Sequence, residues 1–309
     1  MSISRDILLW CSANPWMKEN VPKMRFVKSA VKRFMPGEEV EHAVKAAEDF
    51  KDVGIRTVFT YLGENIKDLQ EAEAVADHYK NIIDKINSSG IPTEISLKLT
   101  HIGFDFSNDK TFELFKSIAM KAKQLNNFVW IDIEQSSYVQ RTLEFYRNIK
   151  SETDNVGLCL QAYLYRTKED LQNLMDVSPN IRLVKGAYKE PAGAAFPGKQ
   201  DVDNNYFEIT KLLFNGIKAK GIRAAFATHD LNLISKIEAY AKKQGIPKEN
   251  LEFQMLYGIK SNEQLRLVKE GYKVIVLISY GEYWYPWYVR RLAERPANVG
   301  FVLKNLFTS

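Results

Sequence analysis

Eight short β-like segments recur along the chain, and each is followed by a stretch of helical periodicity. This alternation limits the fold more than any other feature. The segments cover 56–61, 94–99, 127–132, 156–163, 180–185, 222–228, 251–255 and 272–278. Several run apolar without alternation, as in Lys273-Val-Ile-Val-Leu-Ile278, the habit of strands covered on both faces in a parallel sheet. Helical stretches follow at 67–87, 110–125, 136–150, 167–175, 204–220, 231–243, 262–270 and 285–306, and one more, 39–51, precedes the first strand. Eight strand–helix units in succession predict an α/β protein, a (β/α)8 barrel of the TIM type. No linker or shift in composition divides the 309 residues. The expected organisation is a helical arm over 1–52 and one barrel domain over 53–309.

Composition removes other classes. A chain with 45% hydrophobic and 12% aromatic residues is not a disordered segment. Two cysteines, Cys11 and Cys159, do not make a disulfide framework. No apolar run approaches the roughly 18 residues that span a bilayer, and Asp6 and the polar stretch after Trp10 interrupt any secretory signal. The expectation is a soluble cytoplasmic protein with reduced thiols. The formal charge of +5 sits within residues 1–35, where seven basic residues face two acidic ones, and the rest balances. A body without basic excess predicts no nucleic-acid partner. The arm also holds Trp10, Trp16 and Phe26 among other apolar residues. It reads first as a helical arm on the barrel with a solvated basic face, and second as a peripheral contact with an anionic membrane surface. No G-x-G pair, Walker A loop, C-x-x-C or H-E-x-x-H occurs, so neither a Rossmann fingerprint nor a closed zinc site is present in the sequence.

In a (β/α)8 barrel the chemistry gathers at the C-terminal strand ends. Those ends carry Lys98, Asp132 with Glu134, Gln161 with Tyr163, Arg182 with Lys185, Thr228-His-Asp230, Gln254 with Leu256, and Ser279-Tyr-Gly281. Lys98, inside an apolar strand, reads as an anion ligand, a Schiff-base amine or the partner of Asp132 or Glu134. Asp132 and Glu134 lie two apart and share a face if the strand continues. With His229 and Asp230 they could hold a divalent cation, but Lys98, Arg182 and Lys185 crowd the same mouth, so no metal is expected. Gly186 and Ala187 leave room for a flat ligand at the backbone, and the small residues of 191–198 suit a lid. Arg290 and Arg291 suit a carboxylate, which a guanidinium binds through two parallel hydrogen bonds.

Phe226-Ala-Thr-His-Asp230, Phe253-Gln-Met-Leu-Tyr-Gly258, Arg182-Leu-Val-Lys-Gly-Ala-Tyr188 and Arg290-Arg-Leu-Ala-Glu-Arg-Pro-Ala-Asn298, with Leu62-Gly-Glu-Asn65 and Ile95-Ser-Leu-Lys98, together resemble the flavin-dependent proline dehydrogenases. The motifs run in order from about Arg56 to Phe301. The resemblance implies a distorted barrel that holds non-covalent FAD and oxidises L-proline to Δ1-pyrroline-5-carboxylate, with electrons passed to a membrane quinone. It implies that Lys98, Arg290 and Arg291 clamp the substrate carboxylate and that Tyr188 and Leu256 wall the ring. It makes Arg182 and Asp132 the catalytic pair, Arg182 beside the reactive flavin nitrogen and Asp132 orienting Lys98 and Arg182. It assigns Ile133, Gln161, Arg182, Val184, Lys185, Gly186, Ala187, Thr228, His229 and Glu294 to the cofactor, Glu294 by holding an arginine in place. Leu277 and Trp287 stand at ring-bordering positions where the family commonly has tyrosine, which widens the expected substrate to proline or a close cyclic analogue. The alternatives are a Schiff-base lyase using Lys98 or Lys185 and a non-catalytic barrel that senses an amino acid.

Overall fold

A computed structural model of the protein describes residues 10–11, 14–23, 31–63 and 66–294. Among these residues the strands are β1 Arg56–Tyr61, β2 Thr93–Lys98, β3 Val129–Asp132, β4 Val156–Gln161, β5 Ile181–Val184, β6 Ala224–Ala227, β7 Glu252–Leu256 and β8 Lys273–Tyr280. They close into a parallel barrel in chain order, with β8 against β1. The helices are α1 Pro15–Asn20, α2 Val40–Asp52, α3 Leu69–Ser89, α4 Asn108–Gln124, α5 Ser136–Glu152, α6 Thr167–Leu174, α7 Lys199–Lys220, α8 Leu231–Lys243, α9 Ser261–Lys269 and α10 Trp284–Glu294.

The barrel is packed on both sides of its sheet, against helices outside and side chains within, and β8 shows it most plainly. Along β8, Val274, Val276, Ile278 and Tyr280 join the shell between strands and helices. Ile275 and Leu277 alternate with them and pack in the barrel interior with Val58, Trp130 and Ala225. Period two therefore assigns each strand residue to one layer. The helices start where capping chemistry allows: the side chains of Asp68, Ser107 and Asp230 accept backbone N–H groups of α3, α4 and α8, which satisfies donors that the first turn leaves open.

The distortion expected of the barrel lies at its seam. Helix α2 packs on β1 and β8 through Ala43, Ala46 and Ala47, filling the place where the helix after β8 would close the ring. Helix α10 instead buries Trp284, Tyr285, Tyr288, Val289 and Leu292 with Leu62 and the arm residues Val31, Phe34 and Met35. Glu38 fastens it: its carbonyl accepts from Gly281 N at 2.8 Å and its carboxylate from Trp284 Nε1 at 2.9 Å. The helix expected over 285–306 is thus present from Trp284 to Glu294, and its remainder lies outside the described residues. Strand β4 is two residues shorter than expected, because Ala162 and Tyr163 already turn outward while still bonding Val184 and Lys185. Among the described residues no helix is long and apolar enough to cross a membrane.

Candidate active site

The C-terminal mouth of the barrel brings together most residues singled out by the sequence. Strand alternation turns Lys98, Asp132, Gln161, Arg182, Val184, Leu256 and Leu277 inward. Register sets Lys98 beside Asp132, Gln161 beside Val184 and Leu256 beside Leu277.

Arg182 is the centre of this group and is 3% exposed. Its Nη1 donates to Asp132 Oδ1 at 2.8 Å and to Ser96 Oγ at 2.9 Å, and Ser96 Oγ donates to the same carboxylate oxygen at 2.7 Å. The guanidinium lies over Trp130, 4.6 Å from the ring centre. Its Nε and Nη2 are buried and meet no acceptor among the described residues, and Gln161 Oε1 is buried without a donor among them. A buried polar atom left unbonded costs about 1–3 kcal/mol. Two such donors and one such acceptor at one barrel end suit a bound planar group that both donates and accepts hydrogen bonds.

Ser96 escapes a reading by charge alone, but it lies two before Lys98 and so shares its face. Thr228 is buried and its Oγ1 accepts from Asp230 N at 3.2 Å. His229 Nε2 accepts from Leu256 N at 2.9 Å, so that nitrogen carries no proton and the neutral ring carries it on Nδ1. Ile133 is buried, while Tyr188, Ala187, Trp287 and Arg291 are half-buried. The side chains of Arg290 and Glu294 lie outside the described residues, as do Glu64 and Asn65 of the first strand-end motif.

Four sequence expectations change here. Strand β3 ends at Asp132, so period two does not extend to Glu134, whose carboxylate accepts instead from Thr100 N at 3.3 Å and Thr100 Oγ1 at 2.7 Å. The space that a Cβ of Gly186 would take is filled by Tyr163, whose ring lies 2.1 Å from that point at φ +114°, so a ligand can meet only the rest of this backbone. The run 191–198 is fastened rather than loose. Tyr165 N donates to Ala194 O at 3.1 Å, Phe196 N to Tyr163 O at 2.8 Å, and the Tyr165 and Phe196 rings meet edge to face. Glu190 ties the same loop to α5, accepting from Ser136 N at 3.0 Å, from Ser136 Oγ, and from Tyr163 OH at 2.8 Å. Gln135, ahead of that helix, makes no side-chain cap, so Glu190 caps α5 from a distant part of the chain. Lastly, Lys185 donates to Asp203 and to Asp230 Oδ2, the latter at 2.8 Å. An ammonium held by two carboxylates is a poor Schiff-base nucleophile. Among the described residues no three His, Cys, Asp or Glu side chains gather to hold a metal ion.

Lys199 completes this square with Asp203 and with Asp230 Oδ2, the latter at 3.0 Å. Burial pushes the Asp230 carboxyl up, but hydrogen bonds and charge from Lys185 and Lys199 outweigh it and hold the group well below the usual carboxylate range. A depressed folded value makes the charged form stabilising above the unfolded value, about 3.9 for Asp, and that stabilisation drains away as pH falls further. Asp230→Asn is therefore expected to lower the melting temperature most at neutral pH. The gap to the parent protein should narrow in melts run progressively below pH ~4. A gap that stays constant down to pH 2 refutes the assignment.

At the opposite mouth a cavity of about 680 Å³ is lined by Arg56, Glu94, Arg223, Glu252 and Lys273 among others. Four of these charges are paired with one another: Arg223 bonds Glu252 through Nε at 2.9 Å and Glu94 through Nη2, and Arg56 reaches Glu94 at 3.1 Å. This floor closes the barrel and lies away from the strand ends where the chemistry gathers.

Comparison with known proteins gives one answer. A family model described as proline dehydrogenase matches residues 43–304. The chain is 39% identical over 302 residues to proline dehydrogenase 1 of Bacillus subtilis (strain 168), covering 98% of each. It is 38% identical over 279 residues to the proline dehydrogenase of Deinococcus radiodurans, covering 89% of each. Among solved structures, proline utilization A (PutA) from Bdellovibrio bacteriovorus inactivated by N-propargylglycine superposes with a TM-score of 0.81 at 24% identity, over 96% of this chain. The chain spans 39% of that longer protein, and the likeness concerns the fold.

Proposed function

The chain belongs to the proline dehydrogenase family, and on that premise we propose that it oxidises L-proline, or a close cyclic analogue, to Δ1-pyrroline-5-carboxylate or its counterpart. The reading takes non-covalent FAD as the hydride acceptor and a membrane quinone as the final electron acceptor. The observation that carries it is the set of buried, unbonded atoms at Arg182 Nε, Arg182 Nη2 and Gln161 Oε1. A flavin ring offers both acceptors and a donor, so these residues fit it. Bound FAD would supply the two-electron, hydride-accepting chemistry that no side chain provides.

The protein's own groups bind and orient. Gln161, Arg182 and the backbone from Val184 to Ala187 would hold the ring, with Ile133 beside it. Lys185, Thr228 and His229 would serve the rest of the cofactor, and Glu294 would hold an arginine in place. Arg182 would steady negative charge that develops on reduction, and Asp132 and Ser96 keep its guanidinium in place. Lys98, Arg290 and Arg291 would grip the substrate carboxylate, fixing the ring for transfer. Tyr188, Leu256, Leu277 and Trp287 would wall that ring, the last two without the hydroxyls of tyrosine.

Trp10 and Trp16, 62% and 64% exposed, sit in the basic arm. They support peripheral contact with the anionic inner face of a membrane, where a quinone is at hand, for a protein otherwise in the cytoplasm.

An absorbance spectrum of the purified protein before and after anaerobic L-proline tests the reading. Flavin bands that bleach are expected. Bands that persist with proline but bleach with another cyclic amine move the substrate, not the chemistry. No flavin bands after reconstitution with FAD overturn the proposal.

A further inference from the structure

Trp130 connects the charged floor of the barrel to the mouth. It is fully buried in β3, two residues before Asp132. Two guanidinium groups lie over its indole, Arg182 at 4.6 Å from the ring centre and Arg223 at 4.9 Å. Its Nε1 donates to Glu94 Oε2 at 2.8 Å, and Glu94 is in turn bonded by Arg223 and Arg56. The neighbouring strand is cut back to admit the ring: Gly157 pairs with Trp130 in register, and a Cβ on it would lie 2.4 Å from the indole.

We propose that Trp130 is a positioning residue whose indole face, anchored by Glu94, sets the Arg182 guanidinium in place at the barrel mouth. This deepens the reading above and rests on it where flavin is concerned. Asp132 and Ser96 both engage Nη1 of Arg182, and a guanidinium held at one nitrogen can still swing about that contact. The aromatic surface adds a plane. A cation over a ring in a site without water is held by the ring's negative face, which fixes the direction in which Nε and Nη2 point. A hydrogen-bonded indole cannot tilt to follow the arginine, so the floor network holds the platform that Arg182 rests on.

The test compares Trp130→Phe with Trp130→Met. Both lose the indole N–H and leave a gap, but Phe alone keeps an aromatic face. In holoenzyme, Trp130→Met is expected to slow flavin reduction at saturating proline roughly 5- to 30-fold relative to Trp130→Phe, the factor expected of a desolvated cation–π contact. The Met variant should also weaken FAD binding by the flavin-free protein in a fluorescence titration. Equal rates and equal FAD affinities in the two variants overturn the proposal. Thermal unfolding of the full chain supplies a readout independent of flavin. Arg182→Met should cost less stability on the Trp130→Met background than on the parent or the Trp130→Phe background. Equal costs on all backgrounds overturn the proposal, and so does a cost that already falls on the Phe background if the Met variant does not fold. A parent protein that takes up no FAD overturns the functional reading instead, while the unfolding cycle still decides the role of Trp130.

Discussion

Replacing Arg182 with methionine is expected to slow flavin reduction about a hundredfold to a thousandfold at saturating proline, the usual loss for one preorganised charge-stabilising group. Methionine matches the arginine stem but removes the buried donors at Nε and Nη2. It also leaves Asp132 bonded by Ser96 without its cation. The proposed carboxylate clamp of Lys98, Arg290 and Arg291 is untouched, so the loss should fall on the rate of reduction rather than on half-saturation. Stopped-flow absorbance under anaerobic conditions separates the two. An unchanged reduction rate removes Arg182 from the catalytic set. A raised half-saturation with the rate intact makes it a substrate ligand instead.

Glu94→Leu is expected to destabilise the protein by about 3–5 kcal/mol, the usual result of removing one partner from a buried charged network. Glu94 is 3% exposed and accepts from Arg223, Arg56 and Trp130 Nε1. The change leaves a mostly buried Arg223 with Glu252 alone and an indole N–H with no acceptor. Arg56 is half exposed and contributes little to the loss. Urea unfolding measures the effect. A change under about 1 kcal/mol marks the floor as a solvated surface network and refutes its place in closing the barrel.

The two variants probe opposite ends of the same barrel, and those ends differ in how far the sequence discloses them. Continuous apolar runs such as Val274 to Ile278 make the strands legible, because a strand covered on both faces has no polar side to hide the pattern. The mouth is legible as well, because chain direction in a parallel barrel puts every C-terminal strand end on one side. Lys98, Asp132, Gln161 and Arg182 follow from that rule alone. Ser96 and Trp130 do not, since a small hydroxyl and an apolar ring carry no charge to draw notice inside a strand. Glu134 misleads for a related reason: period two holds only while the strand lasts, and β3 stops at Asp132. Gly186 misleads because a glycine can make room for a ligand or for a neighbour, and only the position of the Tyr163 ring tells which.

By itself the sequence determined the number of strands, their order and the end at which the reactive residues collect, since periodicity and chain direction are local properties. Partners were decided only by the closed barrel. Arg223 meets Glu94 across 129 residues, Arg182 meets Ser96 across 86, and Trp284 meets Glu38 across 246. Such pairs depend on how strands stagger and which side chains fill the interior, and a hydrogen bond succeeds or fails over a few tenths of an ångström. The helix that seals the β8–β1 seam was decided in the same way. Two helical patterns competed for it, and the small face of Ala43, Ala46 and Ala47 fits against the strands where the bulky aromatic face of α10 packs instead with the arm.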